Sequence, residues 1–412
     1  MLILSYCIPQ DLMYENARKS AEILQNEGIK PVSQIQGKQI DNFTTALMIN
    51  EAYYPVQSPL LDSLAVPNSQ TDVNQITNLI SSLDGEYKQT PYYRYWHGYL
   101  VYLKPLLCFF NLYEIRLLFQ ACIVLLLIAV FYAFSHRLGK MGVVFGSLLA
   151  FSFLVFGSAD AIVALPMFPS FALSLLGAIF VLRGKTTPFI LAIGFMVLGA
   201  LTVYFDYLDN PILTLGIPLA CLLLRHAAEN KNGFRDIAKQ IGICSLFWLL
   251  GYGGIWVAKW ALASAVLGQN VFSNALSAIT TRAGMSTDAV NVDSSSLGAL
   301  LFNWDYMGSV RWLFVVIVIC VIIGIAFACI RTFSGQRERR RKIFAQTIRL
   351  VIGLVVVASM PYIWIVVLSE HSSVHYWFTY RDQIVSLFCL FACAVVLFRQ
   401  EVLKTENHEL TA

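Results

Sequence analysis

Charge is what this chain has least of. Of 412 residues only 13% are Asp, Glu, Lys or Arg, about half the roughly 25% of an ordinary soluble domain. A water-soluble globule of this length is therefore excluded. Paired CxxC spacings are missing too: the nine cysteines sit singly, and none falls between Pro9 and His97. No disulfide framework or zinc ribbon can be built from them. All but Cys7 lie in or beside apolar runs, where a free thiol serves as a small hydrophobe. There is no Gly-rich phosphate loop, dinucleotide fingerprint or HExxH, so nothing indicates a nucleotide-driven machine or a zincin. No internal repeat is evident, which disfavours transporters built from duplicated halves. The small net charge of +4 gives no basic footprint for nucleic acid.

What is present is apolar length. The chain is 57% hydrophobic, and runs near the 20 residues of a membrane span lie at 115–134, 141–158, 168–182, 188–205, 211–224, 241–262, 312–330, 346–368 and 384–398. The expected fold is an all-α polytopic membrane protein of about nine transmembrane helices. Pro166, Pro169, Pro188 and Pro211 mark turns or helix starts.

Basic residues alternate between the connectors. Arg137 with Lys140, Arg183 with Lys185, Arg225 to Lys239, and Arg331 with the run RERRRK at 337–342 form one set. Segments 159–167, 206–211, 263–311 and 369–383 form the other and hold few. Basic connectors stay in the cytoplasm. That rule puts residues 1–113 and the loop 263–311 outside a cell membrane, with 114–399 as the spanning domain and 400–412 as a cytoplasmic tail. From Pro9 to His97 six basic residues face ten acidic ones, in keeping with an outer location. Export of this region needs a signal, and MLILSYCI is too short for one. The expectation is that a first span is lost or cut short there.

The outer region carries helical spacing in DLMYENARKSAEILQNEG, ending at Gly28, and in DVNQITNLISSL at 72–83. NFTTALMINEAYY forms a third helix with Asp41 or Asn42 as its N-cap. The aromatic stretch 91–113, PYYRYWHGYLVYLKPLLCFFNLY, reads as a helix lying along the outer leaflet.

Candidate chemistry collects on the outer face. Asp41 heads a helix, Asp206 and Asp209 stand in YFDYLDNP, Arg94 and His97 lie on the interfacial stretch, and His371, His375 and Arg381 occupy the last outer loop. Each has a plain structural alternative: a helix cap for Asp41, a helix end for Asp206, lipid phosphate contacts for the arginines. Intramembrane carboxylates are costly unless used or paired. Asp41 would take a proton from an attacking hydroxyl. The arginines and histidines would hold a departing phosphate. The two histidines also have i,i+4 metal spacing, although their surroundings favour an interface.

This arrangement resembles the GT-C class of integral-membrane glycosyltransferases. DNFTTALMINEAYY occupies the acidic position in the first large outer loop, YYRYWHGYLVYLKPLL the interfacial helix, and HSSVHYWFTYRDQ a late donor-side loop. YFDYLDNP and HSSVHYWFTYR also look like stretches of a group of bacterial polytopic proteins. The resemblance implies a polyprenyl-phosphate sugar as donor and a cell-envelope glycan or glycolipid as acceptor, at the surface of the lipid bilayer. Asp41 would be the catalytic base and Asp206 a second carboxylate. Asp41 is followed by Asn42 rather than a second acid, a departure from the pattern that counts against a divalent metal as cofactor without excluding one. Rival readings are a polysaccharide polymerase or ligase, a lipid-linked-glycan transporter, and a non-catalytic scaffold.

Overall fold

The computed structural model describes residues 1–32, 38–156, 164–184, 186–205, 208–229, 233–284, 295–333 and 337–398. Asp206, residues 285–294 of the 263–311 loop and the expected tail 400–412 lie outside these residues.

The N-terminal region is a small helical layer. Its helices are α1 (Leu2–Ser5), α2 (Tyr14–Glu27), α3 (Asn42–Tyr53), α4 (Pro59–Ala65) and α5 (Gln75–Leu83). Gly28 ends α2 with φ 79°, a left-handed stop that favours glycine. Asp41, not Asn42, caps α3. Two short strands not anticipated from the sequence, β1 (Pro67–Ser69) and β2 (Gln89–Pro91), pair antiparallel with Asn68 opposite Thr90.

The expected interfacial helix over 91–113 is corrected. Only α6 (Leu100–Leu107) and the first residues of the next helix, from Leu112, are helical there. The stretch before it is held by ring contacts and a turn, and His97 takes φ 53°. The aromatic residues serve packing: Tyr95 and Tyr99 are buried, and Trp96 Nε1 donates to the Ile255 carbonyl at 2.8 Å.

The apolar helices are α7 (Leu112–Val155), α8 (Met167–Arg183), α9 (Pro188–Phe205), α10 (Pro211–Ala228), α11 (Phe234–Leu267), α14 (Val310–Phe333), α15 (Arg337–Val367) and α18 (Gln383–Phe398). Between them lie α12 (Val271–Arg282), α13 (Ser296–Tyr306), α16 (Ser369–Val374) and α17 (Tyr376–Thr379). Among the described residues seven helices are long and apolar enough to cross a membrane, the stretch from Tyr376 to Phe398 counting as one. One of these, α7, is two arms. Gly139 breaks it with φ 56° and ψ −135°, and a Cβ on Gly142 would stand 1.9 Å from the Phe134 carbonyl oxygen. The arms therefore fold against one another. With those arms counted separately and the shorter apolar α8 added, there are nine apolar segments. Each overlaps one of the nine runs in the sequence. The chain is a multi-pass, all-α membrane protein.

Burial orders the bundle. The most apolar window of α10 is 94% buried and that of α11 only 22%. So α10 is the central post, packed by α8, α9, α11, α15 and α18, and α11 turns most of its surface to lipid. Pro188 and Pro211 open their helices, where a missing N–H costs nothing. At 34 residues α11 is ~51 Å long, well beyond an apolar layer of about 30 Å. Its C-terminal turns carry Trp256, Lys259 and Trp260. The buried Lys259 Nζ donates to the Leu64 carbonyl at 2.8 Å, and the buried Lys104 Nζ to Ala52 at 2.6 Å. These two lysines tie the N-terminal layer to its neighbours.

The tightest helix pair is α9 with α11. A Cβ on Gly251 would lie 1.9 Å from the Met196 carbonyl oxygen, and one on Gly199 would lie 2.1 Å from that of Trp248. Small residues let backbones approach where water supplies no driving force. Gly251→Ala forces the pair apart, at a cost of about 1–3 kcal/mol for an overpacked interface. Gly254→Ala on the same helix meets open space and gains helix propensity. Heating detergent-solubilised protein and following loss of the monodisperse species should place Gly251→Ala well below wild type and Gly254→Ala at or above it.

Candidate functional site

A cavity of about 570 Å³ opens where the N-terminal layer meets the helical domain. Asp41, Asp209, His371 and His375 all line it, so four of the residues chosen from the sequence meet across more than 300 positions of chain. Exposed Lys30, Asp72 and Val73 form its mouth. Buried Asp41, Asp209, His371 and Phe378 form its depth.

Asp41 is held by local geometry. The Thr44 N–H donates to Oδ1 at 2.9 Å and the Thr44 hydroxyl to Oδ2 at 2.6 Å. The next residue is locked from behind. Asn42 donates to Glu27 Oε2 and the Gly28 carbonyl, both at 2.9 Å, while Arg116 from α7 grips Glu27 at 2.6 and 3.0 Å and Asn42 Oδ1 at 3.1 Å. Side chains fixed this way keep a reacting group in one pose. Burial raises the Asp41 pKa above its ordinary value, opposed by the Thr44 hydrogen bonds and the Lys30 charge. A carboxylate has about four lone-pair sites, so the cap leaves both oxygens able to accept another proton.

The second wall is built by the loop before α10 and by α16 and α17. His371 Nε2–H donates to the Leu208 carbonyl at 3.2 Å, and Asn210 Nδ2 donates to that of Phe378 at 3.0 Å. These bonds pin Asp209 beside the histidines. Leu208 takes φ 72°, a left-handed conformation costing about 1–3 kcal/mol in a non-glycine residue. The stored strain stands next to the cavity's second carboxylate.

The histidines are packed ring to ring, centroids 4.8 Å apart. Burial pushes the His371 pKa well below its usual value, and the neighbouring His375 and Arg282 add to this. Burial with the charges of Arg282 and Lys30 takes His375 down to about 4. Both are neutral at pH 7. They present hydrogen-bonding imidazole to the cavity. Among the described residues no three His, Cys, Asp or Glu side chains converge as a metal cluster.

Besides Lys30 at the mouth, positive charge comes from a residue the sequence reading passed over. Arg282, at the end of α12, lines this cavity and two neighbours. One neighbour, about 310 Å³, is an apolar groove between α11 and α12, walled by Tyr252, Trp256, Trp260, Ala278 and Ile279. The other, about 370 Å³, is polar and shares His371, His375 and Arg282 with the main cavity. A sequence signal for Arg282 existed: it is the sole basic residue between Lys259 and Arg311. Its guanidinium rests 5.5 Å from the Tyr95 ring centroid.

Three predicted residues stand elsewhere. Arg94 lines the groove and the polar side cavity, not the main one, with Nη1 donating to Asn274 at 2.9 Å. His97 is buried in a packing network, its Nδ1 3.1 Å from the Glu51 carboxylate and its Nε2–H donating to the Tyr92 carbonyl at 3.0 Å. It supports Tyr92, which does line the cavity. Arg381 is 3% exposed and donates to the Trp377 carbonyl at 2.9 Å, outside the cavity lining. Its guanidinium lies over the Tyr380 ring at 4.8 Å. Residue 381 follows an aromatic run, and the packing of that run turns the guanidinium inward.

The assembled site offers a buried carboxylate, neutral imidazoles, an arginine at a three-way junction and an adjoining apolar groove. No family model, curated protein or solved structure matches the chain, so what it does must follow from this chemistry.

Proposed function

We propose that this protein is a GT-C-like glycosyltransferase that moves a sugar from a polyprenyl-phosphate donor to a glycan or glycolipid acceptor. The supporting observation is the join at Arg282 between a polar cavity holding Asp41 and Asp209 and an apolar groove. A lipid-linked sugar is polar at one end, apolar at the other and anionic between them, and the three surfaces match in that order.

In this reading the prenyl chain enters the groove beside Trp256 and Trp260. The phosphate sits at Arg282, whose planar fork suits a phosphate oxygen pair. The sugar occupies the main cavity. Asp41 accepts the proton of the acceptor hydroxyl as its oxygen bonds to the anomeric carbon. The bond from that carbon to the phosphate oxygen breaks, and the electron pair leaves with the phosphate, stabilised by Arg282. Asp209 and the neutral histidines accept or donate hydrogen bonds to sugar hydroxyls. The basic connectors and the positive-inside rule support a site on the external face of the cell membrane.

The test is reconstitution of the full chain in nanodiscs with labelled polyprenyl-phosphate sugars and envelope glycolipid acceptors. Transfer of single sugars, with release of polyprenyl phosphate, is the expected result. Transfer of whole oligosaccharide blocks would make it a polymerase or ligase, and movement of intact lipid across vesicles without transfer would make it a transporter.

A further inference from the structure

Two arginines stand where the apolar groove meets the polar side cavity. Arg94 and Arg282 line both spaces. Each guanidinium rests on a tyrosine. Arg94 lies 5.2 Å from the Tyr92 ring centroid and Arg282 5.5 Å from that of Tyr95, and the two rings meet edge to face at 5.3 Å. One packed aromatic pair thus holds two like charges at one boundary.

Their counter-charge is not supplied by the chain. Among the described residues neither Arg94 nor Arg282 forms an ion pair. Arg18 and Arg116, by contrast, grip Asp84 and Glu27 at 2.8 and 2.6 Å. The groove lining holds no acid. Glu370 is the one acid lining the side cavity, and it pairs with neither guanidinium. Arg94 Nη1 is met by the neutral Asn274 amide oxygen. Both arginines are half-buried, and withdrawn charges are costly unless paired. An anion completes this boundary.

The number of charges selects the anion. A sugar linked to a lipid phosphate is a phosphodiester with one negative charge, which Arg282 alone can match. When the bond from the anomeric carbon to the phosphate oxygen breaks, the electron pair stays on that oxygen. The departing lipid is then a phosphate monoester carrying about −1.5 to −2 near pH 7. Two guanidiniums match that product better than they match the donor. Contacts that strengthen as the bond breaks lower the barrier.

We infer that Arg94 and Arg282 together form a site for a lipid phosphate monoester, so that the protein holds its spent carrier more tightly than its donor and is inhibited by it. Arg282 meets the first charge and Arg94 the second as it develops. This rests on the glycosyl-transfer reading for what the lipid carries beforehand, but binding of the monoester needs no turnover.

Binding of radiolabelled farnesyl phosphate and of its methyl diester to the full chain in nanodiscs tests it. The two share a chain and differ in charge. Wild type should bind the monoester about 10–100-fold more tightly, the worth of one further charge-assisted contact. Arg94→Gln should bring the monoester down to the level of the diester and leave diester affinity within about threefold. Equal affinities in wild type, or a wild-type preference in Arg94→Gln, would overturn the assignment. Should Arg94→Gln lose its melting transition, Arg94→Lys gives the reading: a reduced preference is expected, since charge remains without the fork, and an undiminished one overturns it. Inorganic phosphate should displace the monoester poorly because it lacks the chain; displacement as effective as by farnesyl phosphate would make this a free-anion site and overturn the lipid assignment. In the transfer assay Arg94→Gln should lower kcat with little change in KM, the mark of a contact made as the bond breaks. Monoester preference without any sugar transfer would sink the transfer reading and leave the phosphate site standing.

Discussion

Asp41→Asn should lower sugar transfer by about 10²–10⁴-fold, the usual contribution of a general base, with the fold intact. The substitution separates the two roles of this residue. Asn is as good an N-cap as Asp, so the Thr44 N–H keeps its acceptor and α3 keeps its start. Burial disfavours the charged carboxylate, so a neutral side chain costs no stability at neutral pH. What is lost is the ability to take a proton. Asp41→Ala would instead lose the cap as well, about 1 kcal/mol. The pH profile gives an independent reading. A base works when deprotonated, so the wild-type rate falls as pH drops through the Asp41 pKa. Because burial raises that pKa, the acid limb should lie above that of a free carboxylate. The residual rate of Asp41→Asn should lack this limb. Normal turnover in a variant with an unchanged melting transition removes Asp41 from the mechanism and leaves it a helix cap.

Arg282→Gln should raise KM for a lipid-linked donor by about 10–100-fold, corresponding to loss of a charge-assisted contact of roughly 1.5–3 kcal/mol. Arg282 stands where the apolar groove and both polar cavities meet, the one place in this arrangement where chain and head can be joined. Arg282→Lys should recover part of the loss, since a point charge remains but the bidentate fork does not. Arg381→Gln is the informative contrast. Its Nη1 donates to the Trp377 carbonyl, its guanidinium lies over the Tyr380 ring, and it stands outside the cavity lining, so its effect should fall on thermal stability. Steady-state kinetics in nanodiscs with varied donor, alongside melting curves, would decide. An unchanged KM in Arg282→Gln together with a raised KM in Arg381→Gln would reverse the two assignments.

Local chemistry was legible where neighbours in sequence do the work. The helix starting at Asn42, its cap at Asp41 and the stop at Gly28 all depend on residues within one turn. The apolar runs were equally plain, because a bilayer demands about 20 apolar residues whatever surrounds them. His97 stands away from the cavity for the converse reason. Its partner Glu51 lies on α3, 46 residues upstream, and no spacing rule links a loop histidine to a glutamate in another helix. The helix read over 91–113 failed because aromatic residues suit a membrane interface and a packed turn alike. Here the ring contacts of Tyr92, Tyr95 and His97 won.

Membrane character, the apolar segments and the set of polar groups were already present in the order of amino acids, since hydrophobicity and helix periodicity are properties of short stretches. Which polar groups share a cavity was settled only by packing. The bonds from His371 to Leu208 and from Asn210 to Phe378 join residues more than 160 positions apart. They bring Asp209 and the histidines opposite Asp41, while the last-loop arginine is turned away and Arg282 takes the junction. Such contacts depend on how helices stack rather than on local pattern, and one helix rotated by a third of a turn would seat a different set of side chains around the same space.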